Sequence, residues 1–243
     1  MKTIIINQAR MSSSRLPGKV LKQVLNKSLL EYQIERLKKV KLADEIVVAT
    51  TELAVDDPII NLCKKLAVKF FRGSENDVLS RYHAAAVEHE AKLIVRITSD
   101  CPLIDPQVID DVIQAYVSVY PKYDYISNCQ ERTFPRGMDV EIFSFLALNE
   151  AYLEADKIFD REHVTLFIHK QPQRYKIGQV KFNQNLSENR WTVDTHEDYE
   201  LIKKIIEYLY PLNPNFSMID VLDLLSKNPQ WRLINSHVEQ KEE

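Results

Sequence analysis

Short apolar runs alternate along the first half of the chain with longer stretches whose apolar positions recur every three or four residues. The short runs are residues 3–7, 45–50, 68–71 and 93–98, and their near-continuous apolar character predicts strands covered on both faces. The longer stretches predict helices. Leu29, Leu30, Gln33, Ile34 and Leu37 share one face, as do Ile59, Ile60, Cys63 and Leu66, and again Val78, Leu79, Tyr82 and Ala86. This alternation predicts an α/β fold with three layers, a mostly parallel sheet between helices. In such folds ligands bind beyond the carboxyl ends of the strands.

After residue 110 the pattern loosens. Val112, Ile113, Tyr116 and Val117 mark one more helix, residues 123–127, 139–143 and 175–182 read as strands, and 145–154 and 162–169 read as helices. Residues 125–190 are expected to form a smaller α+β extension over the mouth of the sheet, where long connections carry specificity. A helix at 199–209 returns the chain to the core, and a shorter one ends near Lys227. The charged residues 240–243 are expected to be disordered.

One loop changes the picture. Directly after the first strand, residues 8–19 read Q-A-R-M-S-S-S-R-L-P-G-K, placing Arg10, Arg15 and Lys19 among Ser12, Ser13 and Ser14. Backbone N–H groups, hydroxyls and guanidinium forks all donate hydrogen bonds, so a strand tip with this composition suits phosphate. It is not a Walker loop, because Val20 follows Gly18-Lys19 and no glycine stands at the earlier required position.

Composition removes other classes. The 243 residues suffice for one α/β domain with a modest subdomain, and 32 basic against 35 acidic side chains leave a net charge of −3. Nothing there draws the whole chain to a polyanion, so nucleic acid and acidic membrane surfaces are set aside as partners. Cys63, Cys101 and Cys129 are odd in number, widely spaced and without a C-x-x-C, which argues against a disulfide framework or a zinc site. Met1-Lys2-Thr3 leads straight into a strand and no apolar segment approaches spanning length, so a soluble cytoplasmic protein is expected.

The loop and five later regions together are similar to the sugar cytidylyltransferases. Residues 72–82 (R-G-S-E-N-D-V-L-S-R-Y), 96–105 (R-I-T-S-D-C-P-L-I-D), 135–141 (P-R-G-M-D-V-E), then 161–165 (R-E-H-V-T) and 192–198 (T-V-D-T-H-E-D) follow in order along most of the chain. The likeness is strongest to the spore coat polysaccharide biosynthesis branch, itself related to the acylneuraminate and 3-deoxy-manno-octulosonate enzymes. Ser12 and Ser99 stand where glycine is usual in the family, and His196 where proline is usual.

The resemblance implies the fold of the nucleotide-diphospho-sugar transferases, Rossmann-like, with a nucleotide-binding core over 1–124. It also implies a substrate and dimerisation extension over 125–190, a return to the core over 191–235 and a tail at 236–243. The implied activity joins a sugar oxygen to the α-phosphate of CTP and releases pyrophosphate, with Mg2+, in a homodimer serving a surface polysaccharide or glycan. Two other readings stay open: a sugar-1-phosphate nucleotidyltransferase using another NTP, and a weakly catalytic scaffold that binds nucleotide sugars.

Such chemistry needs charge neutralisation more than a covalent catalyst. Arg10, Arg15 and Lys19 are the candidates for the triphosphate, with Arg10, Lys19 and Asp100 as the catalytic set. Asp100 ends the strand at 93–98 and Asp194 ends the short apolar run 191–193, so both are candidate magnesium ligands, although Asp194 or Asp198 could instead cap the following helix. Base and ribose recognition is expected from Gln8, Ala9, Arg10, Met11, Ser12 and Ser13, from Arg72, Gly73, Ser74, Asp77 and Arg81, and from Thr98 and Ser99. Asp77 and Arg81, four apart on a helix, either touch the ligand or pair with each other. On the sugar side the resemblance implies Arg136, Asp139, Glu141, Arg161 and His163 as candidates, the arginines suiting an anionic group.

Overall fold

The computed structural model describes residues 1–239, so the expected tail at 240–243 lies outside the described residues. In chain order the elements are β1 (Thr3–Gln8), β2 (Gln23–Val24), β3 (Lys27–Ser28), α1 (Leu29–Leu37), β4 (Glu45–Thr51), α2 (Asp57–Lys65) and β5 (Lys69–Gly73). Then come α3 (Val78–Glu88), β6 (Leu93–Thr98), α4 (Pro106–Val117), β7 (Tyr125–Ser127), β8 (Glu141–Ser144), α5 (Phe145–Glu154), α6 (Ile158–Glu162) and α7 (Leu166–His169). The chain closes with β9 (Ile177–Gln179), α8 (His196–Leu212) and α9 (Met218–Lys227).

Seven strands form one sheet in the order β5-β4-β1-β6-β8-β7-β9. Only β8 runs against its neighbours; the other pairings are parallel. Ile4, Ile5 and Ile6 of β1 are fully buried because they alternate between two helical layers. Ile4 and Ile6 pack with α3, α5 and α7, while Ile5 packs with α1, α4, α8 and α9. The α/β, mostly parallel architecture is therefore the one the alternation predicts.

The chain leaves β1 for β4 and β5 on one side, then crosses back to place β6 on the other. The strand order reverses at β1, which opens a crevice at the carboxyl ends of β1 and β6. Residues 8–19 follow β1 and Asp100 follows β6, so both reach that crevice.

The second half departs from expectation in several places. Segment 125–190 builds no sheet of its own: β8 pairs with β6, β7 with β8, and β9 with β7. The single helix expected at 162–169 is two, α6 and α7, because Val164 takes φ 55 and interrupts the helical backbone. Residues 191–193 form no strand; Trp191 N donates to Arg136 O at 2.7 Å and Val193 N to Asp100 O at 2.7 Å. The last long helix begins at His196, three residues earlier than expected, behind a capping box of Thr195 and Asp198. No helix among the described residues is long and apolar enough to cross a membrane.

Candidate active site

Strand β1 delivers the chain into a loop that fastens to itself. Met11 N donates to the buried carboxylate of Asp56 at 2.7 Å, Met11 O accepts from Ser13 N and Gly18 N at 2.9 Å each, and Gly18 turns with φ 67. The loop is thereby a rigid rim, and Arg10, Ser13, Ser14, Arg15 and Lys19 face a lobe of about 440 Å3. Gln8, Ala9, Arg81, Thr98 and Ser99 complete its floor. Gln8 Oε1 and Arg81 Nε are both buried there without a hydrogen-bond partner. Burial lowers the pKa of Arg81, and nearby Arg10 pushes in the same direction.

A second lobe of about 690 Å3 opens beside the first. Arg132, Arg136, Asp139, Glu141, His163 and His169 line it, and Arg96, Thr98, Asp100, His163 and Asp194 border both lobes. The junction therefore holds both candidate carboxylates. Thr98 Oγ1 donates to Asp100 Oδ1 at 2.6 Å, and Gln33 of α1 pins the surrounding turn through Thr98 O at 2.7 Å and Cys101 O at 3.2 Å. Asp194 reaches the same point because the segment carrying it is hydrogen-bonded to the Asp100 backbone.

Lys19 Nζ lies between the two carboxylates, 3.3 Å from Asp100 Oδ2 and 2.8 Å from Asp194 Oδ1. Burial opposes a charged Lys19, but the attraction of Asp100 and Asp194 outweighs it and raises the lysine pKa. For Asp100 burial acts against the carboxylate, and Lys19 with the Thr98 hydroxyl overcomes it, so the pKa is lowered. On its other oxygen Asp194 meets Arg15 at 3.0 Å and Arg190 at 2.9 Å. Asp198 holds Arg190 in turn, at 2.9 Å, and accepts from Asp194 N and Thr195 N. Thr195 and Asp198 thus serve the helix start, and the Asp194 side chain is directed to the cations.

Not every expected residue reaches the cleft. Met11 packs under the loop, and Ser12 donates to Glu75 at 2.6 Å. Arg72 braces Thr51 O, Leu53 O and Asp57 at the far edge of the sheet. Gly73 is small because Arg81 packs on it; a Cβ would sit 3.1 Å from Arg81 Cγ. Ser74 and Asp77 organise the start of α3, where Asp77 caps Ser80 N at 2.9 Å and pairs with Arg161 at 2.7 Å. Arg161 also donates to Tyr152 O and Ala155 O, so it is a strut between helices and leaves the sugar-side set. Arg81 donates to Ser74 O at 2.7 Å.

Sequence reasoning missed Arg96, Arg132 and Arg190. Arg96 pairs with buried Glu141, which also accepts from Tyr125 at 2.9 Å and Thr165 at 2.5 Å. Arg132 grips both oxygens of Asp139. A lone arginine within the apolar strand Leu-Ile-Val-Arg-Ile-Thr is a signal that could have been read, since a buried charge needs a partner.

Cations gathered at strand ends around one lobe, with carboxylates shared by the next, meet the needs of a reaction between a nucleoside triphosphate and a second substrate. The class so defined is that of the nucleotidyltransferases. Comparison with known proteins narrows it: the cytidylyltransferase family profile matches residues 4–222, and the chain belongs to that family. The spore coat polysaccharide biosynthesis protein SpsF of Bacillus subtilis is 33% identical over 233 residues, 93% of this chain and 95% of its own. An uncharacterised protein of Methanocaldococcus jannaschii is 38% identical over 243 residues, 99% of this chain and 97% of its own. A cytidylyltransferase from Leptospira borgpetersenii serovar Hardjo-bovis superposes with a TM-score of 0.92 at 35% identity, covering 100% of both chains.

Proposed function

We propose that the protein transfers CMP from CTP to a sugar oxygen, releasing pyrophosphate, in the biosynthesis of a surface polysaccharide or glycan. The observation that carries this reading is the meeting of Asp100 and Asp194 on one cation, Lys19, where the two lobes join. The smaller lobe, with its loop cations and hydroxyls, suits the triphosphate. The larger one suits a polyhydroxylated acceptor, because its arginines and carboxylates can both donate and accept hydrogen bonds.

Magnesium fits the junction. It takes oxygen ligands, often only one or two from protein, and Asp100 and Asp194 already direct two carboxylate oxygens to one cationic position. These two residues would hold it, and when bound it would supply charge neutralisation beside the reacting phosphate. The chain does the remainder: Arg10, Ser13 and Arg15 orient the triphosphate, Lys19 offsets charge on the leaving pyrophosphate, and Arg136, Asp139 and His163 position the acceptor. The polysaccharide assignment is supported by likeness to SpsF over most of both chains.

The test is pyrophosphate release from each of the four NTPs with magnesium and a panel of acceptor sugars. Release that requires CTP together with one acceptor is expected. Preference for another NTP with a sugar 1-phosphate would replace the cytidylyl reading, and binding without turnover across the panel would leave a scaffold.

A further inference from the structure

Each carboxylate at the junction has one oxygen committed to the protein and one turned to Lys19. Asp100 Oδ1 accepts from Thr98 Oγ1 at 2.6 Å and Cys101 Sγ at 3.4 Å, while Asp194 Oδ2 is held by Arg15 at 3.0 Å and Arg190 at 2.9 Å. The other two oxygens, Asp100 Oδ2 and Asp194 Oδ1, are 3.3 and 2.8 Å from Lys19 Nζ. A magnesium ion would need oxygens at about 2.0–2.1 Å, and the two not already bound to fixed donors are those Lys19 occupies. Two cations cannot share that pair of oxygens in a partly buried site without strong repulsion.

We propose that Lys19 and the divalent cation are alternative occupants of one site, and that the entering metal displaces the ammonium into the adjoining lobe, where it meets the triphosphate. The proposal rests on the magnesium reading above. Lys19 suits the exchange: its Cα is fixed by the Gly18 turn, but its charge sits on a flexible four-carbon stem. It also lines the lobe that holds Arg10 and Ser13, so a rotation of the stem carries the charge from carboxylates to phosphate without moving the backbone. Before loading, the ammonium keeps two like-charged carboxylates together. After loading, the same charge is delivered to the substrate, so metal binding and phosphate capture become one coupled event.

The experiment measures metal alone, without nucleotide. Mn2+ is titrated into wild type, Lys19→Gln and Lys19→Arg and followed by electron paramagnetic resonance. Lys19→Gln should bind Mn2+ roughly tenfold or more tighter than wild type, a coupling of ordinary allosteric size, while Lys19→Arg stays as weak as wild type. In parallel, the protein is reductively methylated with 13C, and the Lys19 resonance, identified by its loss in Lys19→Arg, should shift when Mg2+ alone is added. Equal Mn2+ affinity in wild type and Lys19→Gln, or a Lys19 resonance unmoved at saturating Mg2+, overturns the exchange. Mn2+ binding that survives both Asp100→Asn and Asp194→Asn overturns the metal site itself, and the exchange with it.

Discussion

Asp194 meets three cations and Asp100 one, yet the metal proposed above would make them equivalent in function. Removing either carboxylate leaves too few ligands, so Asp100→Asn and Asp194→Asn should each lower kcat/KM by roughly a hundredfold or more. The double variant should be scarcely worse than the poorer single one, because groups that act as a unit do not add. A full kinetic cycle checks this, and multiplicative losses would separate the two residues. Glu141 behaves differently. Burial disfavours its charge, but Arg96, Thr165 and Tyr125 outweigh that, and its pKa is lowered. A carboxylate of this kind stabilises the fold above its unfolded pKa, near 4.3, and the stabilisation is lost as pH falls through the lower folded value. Glu141→Gln strands Arg96 inside the protein and should destabilise by about 3 kcal/mol at neutral pH. Its stability should also fall less steeply than wild type below pH 4, as measured by urea unfolding across pH.

At the scale of elements, what was legible in the sequence was local. The run Ile4-Ile5-Ile6 announces an interior strand by itself, and 93–98 and 145–154 are found at the expected bounds. What was missed depends on distant chain. The β2–β3 hairpin turns through Leu25 and Asn26 at φ 47 and 68, without the Asn-Gly pair that advertises such a turn. Val164 breaks a helix in a conformation that a β-branched residue rarely adopts, so neighbours in sequence give no hint of it. The Arg96–Glu141 pair exists only because β6 and β8 align those two residues across the sheet. For the site, position was read more reliably than partner: Arg10, Lys19, Asp100 and Asp194 line one lobe, whereas Arg72 and Arg161 became struts. Gly137 exposes the constraint between elements most sharply. Its φ is +100, and an added Cβ would lie 2.7 Å from the Trp191 carbonyl carbon and 2.9 Å from Thr192 N. Gly137→Ala must therefore push apart the segment that carries Arg136 and the one that carries Asp194. About 1–3 kcal/mol of backbone strain is expected, together with a fall in kcat/KM larger than that of an equally destabilised variant remote from the cleft. Calorimetry and kinetics on the two variants check it, and normal turnover would detach the 191–194 segment from catalysis.

Over the whole molecule, the cleft joins parts that are far apart in the chain. The 8–19 loop belongs to the β1–α1 crossover, Asp100 to the turn after β6, and Asp194 to the segment entering α8. A ligand that bridges them ties the sheet to the helical layer of α1, α4 and α8, so binding should register as global rather than local stability. A ligand that binds only the folded state stabilises it by mass action, by about 2.7 kcal/mol at a hundredfold excess over Kd. CTP with magnesium should therefore raise Tm more than ATP, GTP or UTP at the same concentration. Chelating the metal should remove most of that shift, since the carboxylates would then face the triphosphate without an intervening divalent charge. Differential scanning fluorimetry with each nucleotide, with and without EDTA, makes the comparison. Equal shifts for all four would show that the lobe reads phosphate alone and would sink the cytidine assignment. A CTP shift indifferent to EDTA would instead place the triphosphate on the loop cations and away from the junction of Asp100 and Asp194.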